Sequence, residues 1–365
     1  MKNLIFPACA AALAFPALLA AQPAPADTAA RITVGAFVDG YYGYDFARPR
    51  SHDRAFTTQA ARHDEFAINL AHVEVRYAAP TVRGRLALQA GTSVQFNYAG
   101  EPDEIAGSQP NYLPLIQEAT LGVQVAPSVW IDGGIMFSHI GSESWISIDN
   151  PNYTRSLPAE FSPYYETGVR ATWQARSNLT AQINVVNGWQ IISETNHDKG
   201  AGIRVDWLPV APLTLSYSNY VGRDAAAATG EMDLRVLHDV SARWAADDRA
   251  LLVGTVDFGS QDGANWIAGS LAGRYRLTPA VAVNGRIERL DDEDGVVAAT
   301  GLDDAPGLVT NGASVGVDVT RGAAVWRTEL RSLFGADGRP FPARGEDDGR
   351  ANSSTLLVTS LSLRI

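Results

Sequence analysis

The 365-residue chain has one cysteine, Cys9, three methionines and very little lysine. A single cysteine excludes a disulfide-stapled scaffold and a cysteine-rich zinc protein. Charged residues make up 19 % of the chain and hydrophobic residues 46 %, which is too apolar and too aromatic for a disordered chain. Lysine and arginine together number 29 against 40 aspartates and glutamates, a formal net charge of -11. That balance excludes a general nucleic-acid binder, which needs basic patches to neutralise phosphates. Beyond the first 21 residues no run approaches the roughly 18 to 20 consecutive apolar residues of a membrane helix, and helical periodicity is missing. There is no His-Glu-x-x-His, P-loop or dinucleotide fingerprint. The six histidines (52, 63, 72, 139, 197, 238) lack metal-ligand spacing, so no cofactor or metal is expected.

The N-terminus has a short basic start, Met1-Lys2-Asn3, an apolar stretch from Leu4 to Ala21, and small residues leading to Gln22-Pro23. This pattern reads as a secretory signal peptide cleaved after Ala21, with Ala26 as the alternative. A membrane anchor is disfavoured because Pro7 and Pro16 interrupt a short run. Residues 22–30 then form a short periplasmic segment, and loss of Cys9 leaves an exported chain that cannot form a disulfide.

High glycine and aromatic content points to β structure, and the remaining chain repeats one pattern. About ten residues alternate apolar and polar, turn residues follow, and alternation resumes. From Val82 to Tyr98, Val82, Leu86, Leu88, Val94 and Phe96 take one parity and Arg83, Arg85, Gln89, Ser93 and Asn97 the other. Ala280–Leu290, Thr310–Thr320 and Leu179–Gln190 repeat it, the last placing Trp189 on the apolar parity. Connectors alternate in length. Short ones lie at 80–81, 126–128, 175–178, 209–212, 246–249, 278–279 and 321–322. Long polar ones lie at 43–64, 99–114, 141–163, 191–199, 223–230, 260–264, 291–307 and 335–353. Seven short turns and eight long loops imply about sixteen strands with both ends on the short-turn side. The expected fold is all-β: a closed antiparallel transmembrane β-barrel over 31–365, with short periplasmic turns and longer external loops. Tyr77, Trp173, Trp207, Trp244 and Tyr275 each precede a short turn on the apolar parity, as an interfacial aromatic girdle requires.

Closure follows from the solvent. Lipid offers no hydrogen bonds, so a sheet within it can leave no edge. Such a barrel turns its apolar parity to lipid and needs no large apolar core, which explains a mean hydropathy of -0.07. The inward parity is strongly charged. Its candidate lumen wall comprises Arg83, Arg85, Asp132, Arg170, Arg204, Asp206, Arg235, Arg274, Arg286, Glu288, Arg327, Glu329 and Arg331. These residues fit a hydrated channel whose wall sets a transverse field, and equally a ladder of ion pairs that braces the wall. A barrel of about sixteen strands is wide enough to hold water. The third external loop, 141–163, carries Trp145, Ile146, Ile148, Tyr153 and Leu157, an apolar content that fits a loop folded into the lumen. Glu143, Asp149, Arg155 and Glu160 are then the candidate constriction, the alternative being a loop packed on the rim or on a neighbouring subunit.

The stretch from Trp130 to Ser144 (Trp-Ile-Asp-Gly-Gly-Ile-Met-Phe-Ser-His-Ile-Gly-Ser-Glu-Ser), with Tyr153 to Leu157, Glu160 to Gly168 and Val185 to Gln190, resembles the OmpL-like group of β-barrel porins of Gram-negative outer membranes. The resemblance implies a pore-forming outer-membrane protein without catalytic residues. It is densest over about 128–200. The chain departs from outer-membrane barrels in ending on Ile365 where an aromatic is usual.

The residues therefore point to a porin, a passive diffusion channel for small hydrophilic solutes or ions. Its partners would be outer-membrane lipid and lipopolysaccharide, and general porins suggest a homotrimer. The alternative is a non-conducting structural or adhesive barrel. An outer-membrane enzyme has one local candidate, Ser138-His139, whose neighbours in a strand would face opposite ways. The acidic clusters at 291–294, 303–304 and 346–348 read as solvated loop charge rather than divalent-cation sites.

Overall fold

The computed structural model describes residues 30–105, 109–347 and 350–365. The expected signal peptide, Cys9, both cleavage positions and residues 22–29 lie outside the described residues.

Among the described residues sixteen strands close into one antiparallel barrel. They are β1 (Arg31–Asp45), β2 (Phe66–Ala78), β3 (Val82–Ala90), β4 (Ile116–Ala126), β5 (Val129–Phe137), β6 (Tyr165–Arg176), β7 (Leu179–Val186) and β8 (Gly200–Val210). Then follow β9 (Leu213–Ala225), β10 (Met232–Trp244), β11 (Ala250–Gln261), β12 (Ala264–Arg276), β13 (Val281–Asp291), β14 (Val309–Arg321), β15 (Ala324–Phe334) and β16 (Ser353–Arg364). Each strand pairs with its neighbours in the chain. The last pairs with the first, with Phe37 opposite Arg364 and Asp45 opposite Leu356. The seam is reinforced by a backbone exchange between Ala36 and Ile365 at 2.9 and 3.1 Å. Every strand begins within two residues of the position read from the alternation. No helix among the described residues is long and apolar enough to cross a membrane.

The alternation sorts the side chains as a membrane requires. Ile183, Val240, Ile287, Val315 and Leu361 stand exposed on the outer wall, while Asp39, Asn184, Asp239, Asp318 and Ser362 are buried on the inner one. Tyr77, Trp173, Trp207, Trp244 and Tyr275 are all exposed outward near the short turns. Trp326, just after a short turn, is exposed on the outer wall too.

Two alternating runs end sooner than the sequence pattern suggests. The Val82 run leaves the sheet at Ala90, and residues Thr92–Asn97 form a short helix, α1, inside the barrel. Gly91 makes the turn with φ 139°, and a Cβ there would stand 2.4 Å from the Asn69 carbonyl oxygen. Past it the polar residues bond across the interior: Ser93 Oγ donates to Asn69 Oδ1 at 2.8 Å and Asn97 Nδ2 to Thr58 Oγ1 at 2.8 Å. Likewise β7 stops at Val186. The Asn187 side-chain Nδ2 donates to the Ile192 carbonyl at 2.9 Å, and Trp189 packs edge-on against Tyr220 and Trp266 rather than facing lipid.

The barrel also buries more apolar surface than an empty tube would. The long connectors bring apolar clusters inside. One gathers Phe37, Leu70, Tyr98, Trp145, Ile146 and Tyr164; another Leu157, Leu290, Leu308, Leu333 and Phe341. A large apolar side chain placed there stabilises by about 1.5–3 kcal/mol relative to exposure, so the loops are packed elements rather than solvated strings.

The outward parity is testable at Val315, the middle residue of β14 and 63 % exposed. Val315→Arg places a charge at the bilayer midplane and should cost about 2–4 kcal/mol, read as a lower urea midpoint for unfolding from lipid vesicles. An unchanged midpoint would mean that this face does not meet hydrocarbon.

Candidate functional site: the barrel interior

The connector after β5 does not leave the barrel. From the Ser138 amide, which donates to the Tyr164 carbonyl at 2.9 Å, the chain runs down the lumen and returns along β13 to β16. Trp145, Ile146, Pro151, Tyr153 and Leu157 are buried. A loop in this position carries backbone N–H and C=O groups out of bulk water, and each needs a partner. The inward charges of the wall supply them. Arg327 donates to the carbonyls of Ser147 (2.7 Å), Asn150 (3.1 Å) and Pro151 (2.6 Å). Glu329 accepts from the amides of Tyr153 (2.7 Å) and Thr154 (3.0 Å) and from the Thr154 hydroxyl (2.7 Å). Arg286 donates to the Thr154 carbonyl at 2.6 Å, and Glu288 accepts from the Leu157 amide at 2.7 Å. Asn152 Nδ2 bridges Asn284 Oδ1 and Ser314 Oγ at 3.1 and 3.0 Å. On the seam side Asp39 accepts from Ser147, Asn69 and Ser362, each at 2.9 Å.

The wall charges also pair with one another: Arg331 with Glu288 at 2.9 Å, Arg286 with Glu288 at 3.2 Å, and Arg327 with Asp318 at 3.0 Å. Of the predicted lumen wall, Arg286, Glu288, Arg327, Glu329 and Arg331 therefore face inward but are sealed beneath the loop. Arg235 is sealed higher up, over the Trp189 ring at 4.8 Å and bonded to Gln261 Oε1 at 2.8 Å. These six are buried by loop and wall, where most of their hydrogen-bonding atoms are engaged, an arrangement that fits the wall-bracing ladder of ion pairs better than a water-lining role. The rest of the set lies on the wall that the loop does not cover, except Arg204, which also donates to the His139 and Gly141 carbonyls at the loop's root, each at 2.9 Å. Arg83 pairs with Asp132, and Arg85 with Glu74 and Glu118. Arg204 pairs with Asp206 at 2.9 Å and Arg274 with Asp318 at 2.8 Å. Arg170 donates to Asn184 Oδ1 at 2.9 Å and to the Phe137 carbonyl at 2.7 Å.

The four predicted constriction residues divide in the same way. Asp149 is clamped by Arg364 through two 2.7 Å contacts, and burial still pushes its carboxyl above the ordinary aspartate range against that pull. Glu143 accepts from the Ser156 amide at 3.1 Å; burial raises it too, opposed by the Arg286 charge. Glu160 ties the loop to connector 43–64 through the Thr58 amide (3.1 Å) and hydroxyl (2.6 Å). Arg155 is fully enclosed. Its guanidinium lies 3.9 Å from the Tyr164 ring centre and 4.5 Å from that of Trp145, and it donates to Thr58 Oγ1 at 2.6 Å. Enclosure removes it from contact with a passing solute.

At the root of the loop Ser138 and His139 have left the strand and no longer point to opposite faces; both reach Glu166. Ser138 Oγ donates to Glu166 Oε1 at 2.8 Å, and His139 Nδ1 contacts Oε2 at 3.0 Å. His139 Nε2 contacts the Asn219 carbonyl at 2.8 Å. A nucleophile needs its base directly, and here both bond the acid instead, so the trio is a structural knot. The run Gly312-Ala313-Ser314-Val315-Gly316 has esterase-like spacing, but it lies straight within β14 and lacks the strand–turn–helix elbow. Asp292 of the acidic cluster is spent on its own loop, accepting from the amides of Val296, Val297 and Ala298 at 2.8 to 2.9 Å. Asp304 pairs with Arg350 at 2.9 Å; Asp348 is outside the described residues.

A family model described as "Putative beta-barrel porin-2, OmpL-like" matches residues 31–365. The chain belongs to this family. Its barrel is similar to solved outer-membrane proteins of low identity. The outer-membrane channel DcaP of Acinetobacter baumannii aligns at TM-score 0.63 and 12 % identity, over 93 % of this chain and 98 % of that one. The trimer form of OmpT from Vibrio cholerae gives 0.59 and 10 %, over 92 % and 100 %. An anion-selective porin from Comamonas acidovorans gives 0.58 and 11 %, over 92 % and 100 %. No curated protein matches the chain. Family and fold make this porin an outer-membrane channel protein.

The residues missed by sequence reading are the uncharged clamps, Asn152, Thr154, Asn284 and Ser314, and the Glu166 knot. Inward parity marked the wall partners, but nothing local in the sequence says which of them meets the loop. Glu329→Ala removes the acceptor for two amides and a hydroxyl and leaves Arg286 short of a carboxylate. It should cost about 3–5 kcal/mol and expose a tryptic cut after Arg155. Trypsin resistance matching the parent would show that Glu329 does not hold the loop.

Proposed function

We propose that the protein is a porin for passive diffusion of small hydrophilic solutes or ions, with loop 141–163 as its constriction. The observation that carries the proposal is the anchoring of that loop to the inner wall. Narrowing by a fixed loop requires the loop's polar groups to be satisfied by the barrel, and Arg327, Glu329, Arg286 and Glu288 do this along its length. Glu143, Asp149 and Glu160 are the loop carboxylates that would stand near the narrowed path. Arg83, Arg85, Asp132, Arg170, Arg204, Asp206 and Arg274 would form the opposite wall. No bond is made or broken in such a protein; it offers a hydrated route past charged walls. Residues 1–21 serve as the export signal, and the mature chain sits among outer-membrane lipid and lipopolysaccharide. The trimer form of the OmpT neighbour supports a homotrimer.

A second reading is favoured by the apolar clusters beneath the loops: a lumen closed by them would make a structural or adhesive barrel. Planar-bilayer recording with pure refolded protein separates the two. The porin reading expects discrete conductance steps, larger in Glu329→Ala, whose loop is released. A bilayer that stays silent at all voltages would overturn it.

A further inference from the structure

The open part of the wall has a consistent polarity. In six inward ion pairs the guanidinium is the wetter partner and the carboxylate lies behind it. Side-chain exposure is 47 % for Arg76 against 15 % for Glu74, and 41 % for Arg83 against 12 % for Asp132. It is 35 % for Arg364 against 6 % for Asp149, and 16 % for Arg274 against 2 % for Asp318. Arg85 with Glu118 and Arg204 with Asp206 follow the same order. Each pair is neutral as a unit, yet it presents a positive end to water. Arg76 and Arg85 stand directly opposite one another on β2 and β3, so two of these ends are adjacent. Of the other inward acids Asp39, Asp239 and Asp257 are buried, and Asp233 is half-buried at the external end of β10. The loop adds nothing to this bias, since it covers Arg286, Arg327 and Arg331 as well as Glu288 and Glu329; the bias rests on the uncovered pairs. Arg276 with Asp248 is reversed, but there the exposed carboxylate belongs to the short turn 246–249 and stands at the rim rather than on the wall; the other reversed pairs, of Arg62 with Asp53 and Glu65 and of Arg350 with Asp304, belong to the long connectors.

Resting on the porin reading above, we infer that the channel selects small anions over cations, through Arg76, Arg83, Arg85, Arg274 and Arg364. Charges that line a narrow aqueous path with low-dielectric walls focus the field along it and raise the local concentration of the opposite ion. Guanidinium also suits the task. It stays charged at any working pH, and its fork of donors matches carboxylate and phosphate oxygens. The formal net charge of -11 does not oppose this, because many of the acids lie in the external loops or are paired behind arginines.

The test is the reversal potential of the full-length mature protein in planar bilayers under a tenfold KCl gradient. The inference expects chloride to be more permeant than potassium by at least about twofold. The double variant Arg76→Gln/Arg83→Gln, still giving discrete steps, should bring that ratio toward one. Steps with potassium preferred, with no preference, or with a ratio unmoved by the double variant overturn the anion assignment and leave the porin standing. Absence of steps in the parent protein overturns the porin reading itself, and the assignment with it.

Discussion

Backbone polar groups must find partners wherever bulk water is absent, and the rest of this structure follows from meeting that demand twice. In lipid the demand is met by closure: β1 to β16 pair in sequence and the last strand returns to the first. Inside the barrel it arises again, because a connector of more than twenty residues runs through the lumen without secondary structure long enough to satisfy itself. There the partners are ionised side chains. Arg327 serves three loop carbonyls and Glu329 two loop amides. Bonds to charged groups contribute more than neutral ones, on the order of 1.5–3 kcal/mol each, and every buried ion in this patch has a counter-ion within reach. A charged inner wall is thus a requirement for holding an irregular loop in place, before it is a device for selecting solutes.

This divides the barrel into two sectors with different roles. Along β13 to β15 the charges are consumed as fastenings. Around β2 to β12, Arg204 and the enclosed Arg235 apart, they remain beside the uncovered lumen, with carboxylates set behind guanidinium groups. The same residue types in the same alternating pattern therefore act structurally on one side and electrostatically on the other. The loop decides which, by covering one sector.

Much of the architecture was legible from the sequence. Period-two alternation needs no distant information, because facing is fixed by the pleat, so strands such as Val281–Asp291 and Val309–Arg321 could be placed almost to the residue. The alternation of short and long connectors gave sixteen strands and their orientation. What failed was local persistence of a pattern. Val94, Phe96 and Trp189 continue an alternation that the chain has already abandoned at Gly91 and Asn187, where a positive φ and a side-chain cap end the strand. Legibility of the site was lower for a related reason. Parity says that Arg331 and Arg83 both point inward; it does not say that one lies under a loop and the other does not. Arg155 shows the same gap, since an arginine in a loop reads as exposed until Trp145 and Tyr164 are seen to enclose it. Covering is a property of tertiary approach, and no spacing within a strand encodes it.

Loop 141–163 seals the β13–β15 sector and leaves the β2–β3 sector open to water. With Cys9 the chain's single cysteine, a chain beginning at Gln22 offers a thiol-free background for single-cysteine probes. Ser314→Cys lies beneath Asn152 of the loop, and Arg83→Cys lies on the uncovered wall. Modification by a small, water-soluble, membrane-impermeant methanethiosulfonate should be fast at position 83 and much slower at position 314. Equal rates at the two positions would show that the loop does not seal the β13–β15 sector.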